Sequence, residues 1–301
     1  MKAEPNGQQL KTSRDFSIVT ELPGDRITRE AMRMLQTRYR LASNCCAGKD
    51  VLELACGPCL GLAYLAENAQ VVGGDCNFRL LRDVLVRTGN KLPLVCLDAQ
   101  SLPFREESFD VILLFEAIYY LDHAKRCICE CRRVMRRGGS LILCLANRDW
   151  PGFNPSPLST RYFSAVELYD FLEECGFAPE IYGAFPSRPS TMVQNIRDRV
   201  RRLAVSMNLI PKTLRHKARL KRMFYGALET IGMELADSKM PVDQLFPIPR
   251  GQNGLEYRIL YAIGRPSLSP LVTHAADLDK TLEALQSQSE KVDSKGVRLE
   301  T

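Results

Sequence analysis

Asp50-Val-Leu-Glu-Leu-Ala-Cys-Gly-Pro-Cys-Leu-Gly61 begins as an apolar strand, reaches a carboxylate at Glu53, and breaks into a turn of small residues and glycine. Two later apolar runs also end on an acid, Val71-Val-Gly-Gly-Asp75 and the run closing at Leu97-Asp98-Ala99. A strand, a glycine turn and a helix in that order keep side chains off a ligand and offer it free N–H groups at the helix start. With a carboxylate at the end of three successive strands, the pattern describes a nucleoside site able to hold a cationic ligand. Glu53 is placed to orient the turn and favour an ammonium. Asp75 is placed to accept from both ribose hydroxyls and Asp98 from an adenine amino group, while Ala55 and Gly57 keep bulk out of the way.

Outward from this stretch, short apolar runs alternate with helical segments. Strands are expected near 50–55, 70–75, 93–97, 109–115 and 139–146, and helices near 60–67, 78–87, 123–135 and 164–175. Such alternation predicts a doubly wound, mostly parallel sheet with its ligand at the carboxyl ends of the strands. An amphipathic helix over Arg26 to Cys46 leads in, with Ile27, Met32, Leu35, Tyr39 and Ala42 on one face. Ser164 and Glu167 form a capping box for the last helix, and Gly176 ends it. Glu180 to Phe185 and Glu256 to Ile263 are further strand candidates suited to the sheet edge, with a helical insertion between them. The domain plan is a flexible N-terminus (1–25), a core (26–185), a basic insertion (186–254), a last strand (255–265) and a polar, largely disordered tail (266–301).

The chain has 301 residues, 45% of them hydrophobic, which suits one large α/β domain with an elaboration. The greasiest run, Val111 to Leu121, is broken by Glu116, short of the roughly 18 apolar residues a spanning helix needs. Residues 1–24 show no apolar leader, so the expected location is cytoplasmic. All eleven cysteines fall between Cys45 and Cys175, a poor disulfide framework, and are read as reduced. Cys56 and Cys59 are small residues in a crowded turn. Cys127, Cys129 and Cys131, spaced by two on a helix, put Cys129 about 200° from Cys127, so no metal site is expected. The net charge of +6 is local: Pro186 to Arg222 carries eleven Lys/Arg against the single acid Asp198.

Five stretches together resemble the class I S-adenosylmethionine-dependent methyltransferases, in particular the methyltransferase type 11 group. They are Val51-Leu-Glu-Leu-Ala-Cys-Gly57, Val72-Gly-Gly-Asp75, Leu97-Asp-Ala-Gln-Ser-Leu-Pro-Phe104, Ser108-Phe-Asp-Val-Ile112 and Glu130-Cys-Arg-Arg-Val-Met-Arg-Arg-Gly-Gly139. The resemblance covers about residues 30 to 185. It implies a seven-stranded Rossmann-like sheet whose last strand is antiparallel, and S-adenosyl-L-methionine over the ends of the first strands. The cofactor set it implies is Glu53, Ala55, Gly57, Asp75, Cys76, Asp98, Ala99 and Glu116. The sequence departs from the group at Ala55, where a glycine is usual, and at Cys59, which is expected to narrow the pocket.

The acceptor side is less determined. His123, after the fourth strand of the core, has a side chain suited to act as general base, or else Asp122-His123 simply starts a helix. Tyr119 and Tyr120 are either pocket wall or core packing. The proline-rich stretch from Asn147 to Tyr162 is expected to cross the site rim, offering Asn147, Arg148, Trp150 and Arg161 to an acceptor, or else to serve as a rigid connector. The expected activity is in-line methyl transfer to an oxygen or nitrogen of a small-molecule or sugar-linked acceptor, possible anionic partners included. Three alternatives share the fold or the turn. In one, the basic insertion docks RNA, an anionic membrane or a partner protein, although no RNA-binding module or aromatic platform is visible. A second is a non-catalytic cofactor-binding subunit. The third, a nicotinamide-dependent oxidoreductase, needs G-x-G-x-x-G, whereas Pro58 removes an N–H from the phosphate cradle. Oligomeric state is open.

Overall fold

The computed structural model describes residues 16–186, 228–233, 235 and 243–267. In chain order these form β1 (Arg26–Thr28), α1 (Arg29–Cys46), β2 (Asp50–Leu54), α2 (Leu62–Ala66), β3 (Gln70–Asp75), α3 (Phe78–Thr88), β4 (Leu94–Cys96), β5 (Phe109–Phe115), α4 (Ala124–Val134), β6 (Met135–Ala146), α5 (Ala165–Glu174), β7 (Phe177–Pro186), β8 (Leu228–Thr230), β9 (Phe246–Pro247) and β10 (Tyr257–Pro266). Local chemistry sets several boundaries. The Thr28 hydroxyl accepts from the Ala31 N–H at the start of α1, Asn77 accepts from Leu80 at the start of α3, and Gly89 ends α3 in the left-handed conformation. The capping box of Ser164 and Glu167 starts α5.

The main sheet runs β4-β3-β2-β5-β6-β10-β7-β9. Its first five strands are parallel, β10 is antiparallel to both β6 and β7, and the two-residue β9 adds an eighth strand where seven are expected. The sheet is buried on both faces, so its central strands read as unbroken apolar runs. Alternation along them splits the core in two. Leu52, Leu54, Ile112, Leu114, Leu141 and Leu143 meet α4 and α5, while Val51, Val111, Leu113, Phe115 and Ile142 meet α1, α2 and α3. Glu53 shares a face with Val51, which turns its carboxylate toward α1.

Three expectations change. The strand expected over Glu256 to Ile263 is interior, not at the edge, because antiparallel neighbours satisfy its backbone on both sides. Within the helical insertion expected over 186–254, Leu228, Ile231 and Leu235 have helical apolar spacing, yet Leu228–Thr230 pairs antiparallel with Arg26–Thr28. That pairing partner lies some 200 residues away, beyond the reach of local periodicity, and it also takes Arg26 to Thr28 out of the expected helix. Last, Phe16, Val19, Thr20 and Glu21 from the expected flexible N-terminus line the site described below. The basic helices expected over 187–227, the first 15 residues and the tail from 268 lie outside the described residues.

All eleven cysteines are free thiols. Cys127 and Cys131 are buried on one side of α4 while Cys129 is exposed on the other, the divergence that two-residue spacing on a helix requires. Among the described residues no helix is long and apolar enough to cross a membrane.

The interior position of β10 is testable. Leu260 is fully buried in it, so Leu260→Ala is expected to lower unfolding free energy by about 2–5 kcal/mol. A loss under about 1 kcal/mol in denaturant titration, the size of a typical surface change, would return the strand to the edge.

Candidate active site

The strand order reverses between β2 and β5: the chain leaves β2 toward β3 and β4, and leaves β5 toward β6. A crevice opens at such a switch point because the loops diverge there. It holds a cavity of about 570 Å³, lined by the turn after β2, the ends of β3, β4 and β5, helix α1 and the segment Phe16 to Glu21.

Glu53 stands at the centre, 2% exposed. Its Oε1 accepts from the Tyr39 hydroxyl at 2.5 Å, and its Oε2 is buried without a hydrogen-bond partner among the described residues. Burial pushes the Glu53 carboxyl up to about 7, against the lowering effects of the Tyr39 bond and Arg38 and with a small push from Asp75. Gly61 makes the Tyr39 contact feasible, because a Cβ there would fall 2.2 Å from the Tyr39 ring.

The turn after β2 is tightly wound. Ala55, Gly57 and Cys59 all adopt positive φ, at 53°, 54° and 57°. Ala55 therefore keeps the conformation glycine would supply, at an expense of order 1 kcal/mol. Cys59, expected to narrow the pocket, does not line it: its sulfur lies in the core 3.5 Å from that of Cys56. Asp75 receives the N–H of Gly57 (2.9 Å) and of Asn77 (2.8 Å), one on each oxygen, which ties β3 to the turn and leaves each oxygen further lone pairs. Asp98 receives the backbone and side-chain N–H groups of Gln100 on Oδ1, with Oδ2 outside both bonds. Cys76 and Ala99 also line the cavity, and burial, then Asp75, pushes the Cys76 thiol up to about 11, so it stays protonated.

At the end of β5, Glu116 takes a positive φ of 52°. Its Oε2 accepts from the Tyr119 hydroxyl at 2.6 Å, and its Oε1 has the Cys144 thiol at 3.7 Å. Burial raises its pKa, opposed mainly by Arg38 and the Tyr119 bond. Tyr119 and Tyr120 both line the cavity, and Phe16 packs on Tyr120 with ring centroids 5.5 Å apart. Phe16, Val19, Thr20, Glu21 and Arg38 carry no sequence motif, and sequence reasoning missed them. Their only signal is that a helix leading into β2 must pass over its carboxyl end.

The remaining acceptor-side expectations fall elsewhere. His123 is exposed at the N-cap of α4, outside the cavity lining, where its backbone N–H donates to Gln100. Asn147 is fully buried, and its amide donates to the carbonyls of Gly254 and Tyr257. Arg148 pairs with Glu167, Trp150 lies under the Arg258 guanidinium, and Arg161 lies over Phe163. None of these four lines the cavity. The proline-rich loop buttresses the site from behind: Thr160 donates to the Tyr119 carbonyl, Ser156 bonds the Tyr120 hydroxyl, and Tyr162 stacks on Tyr119 at 4.3 Å. Among the described residues no three potential ligands form a metal cluster.

Because the Glu53 pKa is raised from 4.5 to about 7, its contribution to stability is complete below about pH 4.5 and is lost as pH rises through 7. Glu53→Gln retains an acceptor for Tyr39 but cannot ionise. The stability of the wild type is therefore expected to fall relative to that of the variant between these pH values in denaturant unfolding, and parallel pH profiles would refute the buried-carboxyl assignment.

Residues 52–143 match the family model of a methyltransferase domain. A probable S-adenosylmethionine-dependent methyltransferase of Mycolicibacterium smegmatis is 33% identical over 150 residues, 47% of this chain and 57% of the relative. A phthiotriol/phenolphthiotriol dimycocerosates methyltransferase of Mycobacterium ulcerans is 39% identical over 102 residues, 32% of this chain and 37% of the relative. The matches thus span about half the length, or less, of these relatives. A solved S-adenosylmethionine-dependent methyltransferase from Thermotoga maritima shares the fold with TM-score 0.51 at 15% identity, over 79% of this chain and 94% of that one. The cyclase SpnF does so with TM-score 0.51 at 16% identity, over 80% of this chain and 84% of that one. Residues 52–143 thus carry a methyltransferase domain of the S-adenosylmethionine-dependent type 11 group, set in a Rossmann-like sheet, and the cofactor of that group is S-adenosylmethionine.

Proposed function

We propose that this chain catalyses in-line methyl transfer from S-adenosylmethionine to an oxygen or nitrogen atom of a small acceptor with a flat, apolar body. The observation that carries this reading is one cavity that combines carboxylates at the ends of four adjacent strands with an aromatic wall beside the last of them. The cofactor fits the residues present: the unpartnered Oε2 of Glu53 suits an ammonium, and Asp75 and Asp98 retain acceptor capacity for ribose and adenine. When bound, the cofactor supplies an electrophilic methyl group on a sulfonium.

The protein's share is then to bind, orient, exclude water and take up a proton. Phe16, Tyr119 and Tyr120 provide apolar faces against which an acceptor ring or chain packs. Glu116, expected among the cofactor residues, is in this reading the proton acceptor in place of His123. Burial makes its carboxylate a stronger base than an exposed one, and Tyr119 holds one oxygen in place. The Mycobacterium ulcerans relative acts by name on phthiotriol and phenolphthiotriol dimycocerosates, which agrees with an apolar acceptor body.

Calorimetric titration with S-adenosylhomocysteine beside NAD tests the class, with binding expected for the first alone. Asp75→Ala is expected to weaken that binding by about 1.5–3 kcal/mol through lost charge-assisted hydrogen bonds, and unchanged affinity would overturn the ribose assignment. With an acceptor found by screening hydroxylated and amine metabolites, Glu116→Gln is expected to lower kcat about 10²–10⁴-fold while leaving S-adenosylhomocysteine affinity nearly unchanged. An unaltered kcat would remove Glu116 as the proton acceptor.

A further inference from the structure

Among the described residues lining the cavity, Arg38 is the only cation. It projects from α1 one residue before Tyr39, and its Nε is buried without a hydrogen-bond partner among the described residues. Its guanidinium lies over the Tyr39 ring, 5.7 Å from the centroid. It acts electrostatically on both Glu53 and Glu116, yet no ion pair among the described residues fixes it to either. A guanidinium with a buried, unpartnered donor is costly to leave empty-handed, and its planar fork matches a carboxylate.

The strand order says which carboxylate. Asp98, Asp75, Glu53 and Glu116 close β4, β3, β2 and β5 or directly follow them, four neighbours in the sheet. A nucleoside read by Asp98 and Asp75 lies over β4 and β3, so the amino-acid end of the cofactor continues toward β2 and β5. That end is a zwitterion, and there the cavity presents the unpartnered Oε2 of Glu53 and the unpartnered Nε of Arg38, with Glu21 and Glu116 as the other carboxylates that act on the guanidinium.

Resting on the methyltransferase reading above, we infer that Arg38 binds the α-carboxylate of S-adenosylmethionine while Glu53 takes its ammonium. Arg38 is thus a cofactor-binding residue supplied from outside the sequence motifs, and α1 closes the amino-acid end of the site.

Two ligands that differ only in this carboxylate, S-adenosylmethionine and decarboxylated S-adenosylmethionine, test the assignment by calorimetry without turnover. The wild type is expected to bind the first more tightly. Arg38→Met is expected to weaken S-adenosylmethionine about 10–100-fold, the effect of losing a charge-assisted hydrogen bond, and to leave the decarboxylated ligand within about twofold. Arg38→Lys is expected to fall between wild type and Arg38→Met. Equal losses for both ligands, or no loss, overturn the assignment, and a change confined to acceptor KM would move Arg38 to an anionic acceptor instead. Should the methionine variant not fold, wild-type protein that binds both ligands equally overturns it alone. Wild-type protein that binds neither overturns the methyltransferase reading together with it.

Discussion

A carboxylate buried at the end of a central strand is the constraint around which this structure is arranged. Removing Glu53 from water is unfavourable by several kcal/mol unless its oxygens are satisfied, and among the described residues only one of them has a hydrogen-bond partner. Tyr39 must reach over the turn to do so, which requires α1 to cross the carboxyl end of β2 and Gly61 to leave room for the ring. The helix, the turn and the strand are therefore coupled through one hydrogen bond. In the proposed reading the second oxygen is left for a cation, which turns a destabilising burial into a binding site.

The same economy extends sideways along the sheet. Asp75 and Asp98 use their oxygens to fix the backbone of their own turns, through Gly57, Asn77 and Gln100, so each acid is already oriented before a ligand arrives. Glu116 is oriented by Tyr119, which the proline-rich loop holds through Thr160 and Tyr162. Rigid positioning of this kind limits what must be ordered on binding. Positive φ at Ala55, Cys59 and Glu116 places backbone strain in the two turns beside the cavity.

What the sequence reveals and what it hides divides along the range of the interactions. The parallel core, its strand ends and the acids on them are legible because each rests on a few adjacent residues: an apolar run, a glycine turn, a capping serine. Strand β10 looks like an edge in isolation, and only pairing with β6 and β7 shows it to be interior. Leu228 and Ile231 fit a helical stripe equally well, and the strand follows from a partner at Arg26–Thr28. Phe16 and Arg38 belong to no local pattern at all, since their roles arise only where the chain crosses the switch point. Trp150 and its basic neighbours show the reverse: aromatic and cationic side chains in a loop suit an acceptor but equally suit stacking, and they lie outside the cavity lining with Arg258 over the Trp150 ring.

A Rossmann-like sheet hosts many reactions, so the chemistry has to come from what the crevice presents. On the β3 and β4 side it presents acids that are held by backbone N–H groups and suited to hydroxyls and an amino group, a set with no role in moving a proton. On the β5 side it presents Glu116, whose burial disfavours its charge, beside phenols whose own burial keeps them protonated. Of these groups only the carboxylate is a base whose proton affinity burial raises, while the phenols already hold their protons. In the proposed reading, the division between a recognising side and a proton-accepting side follows from the two sides of the switch point, with the acceptor atom at β5 between Glu116 and the aromatic wall.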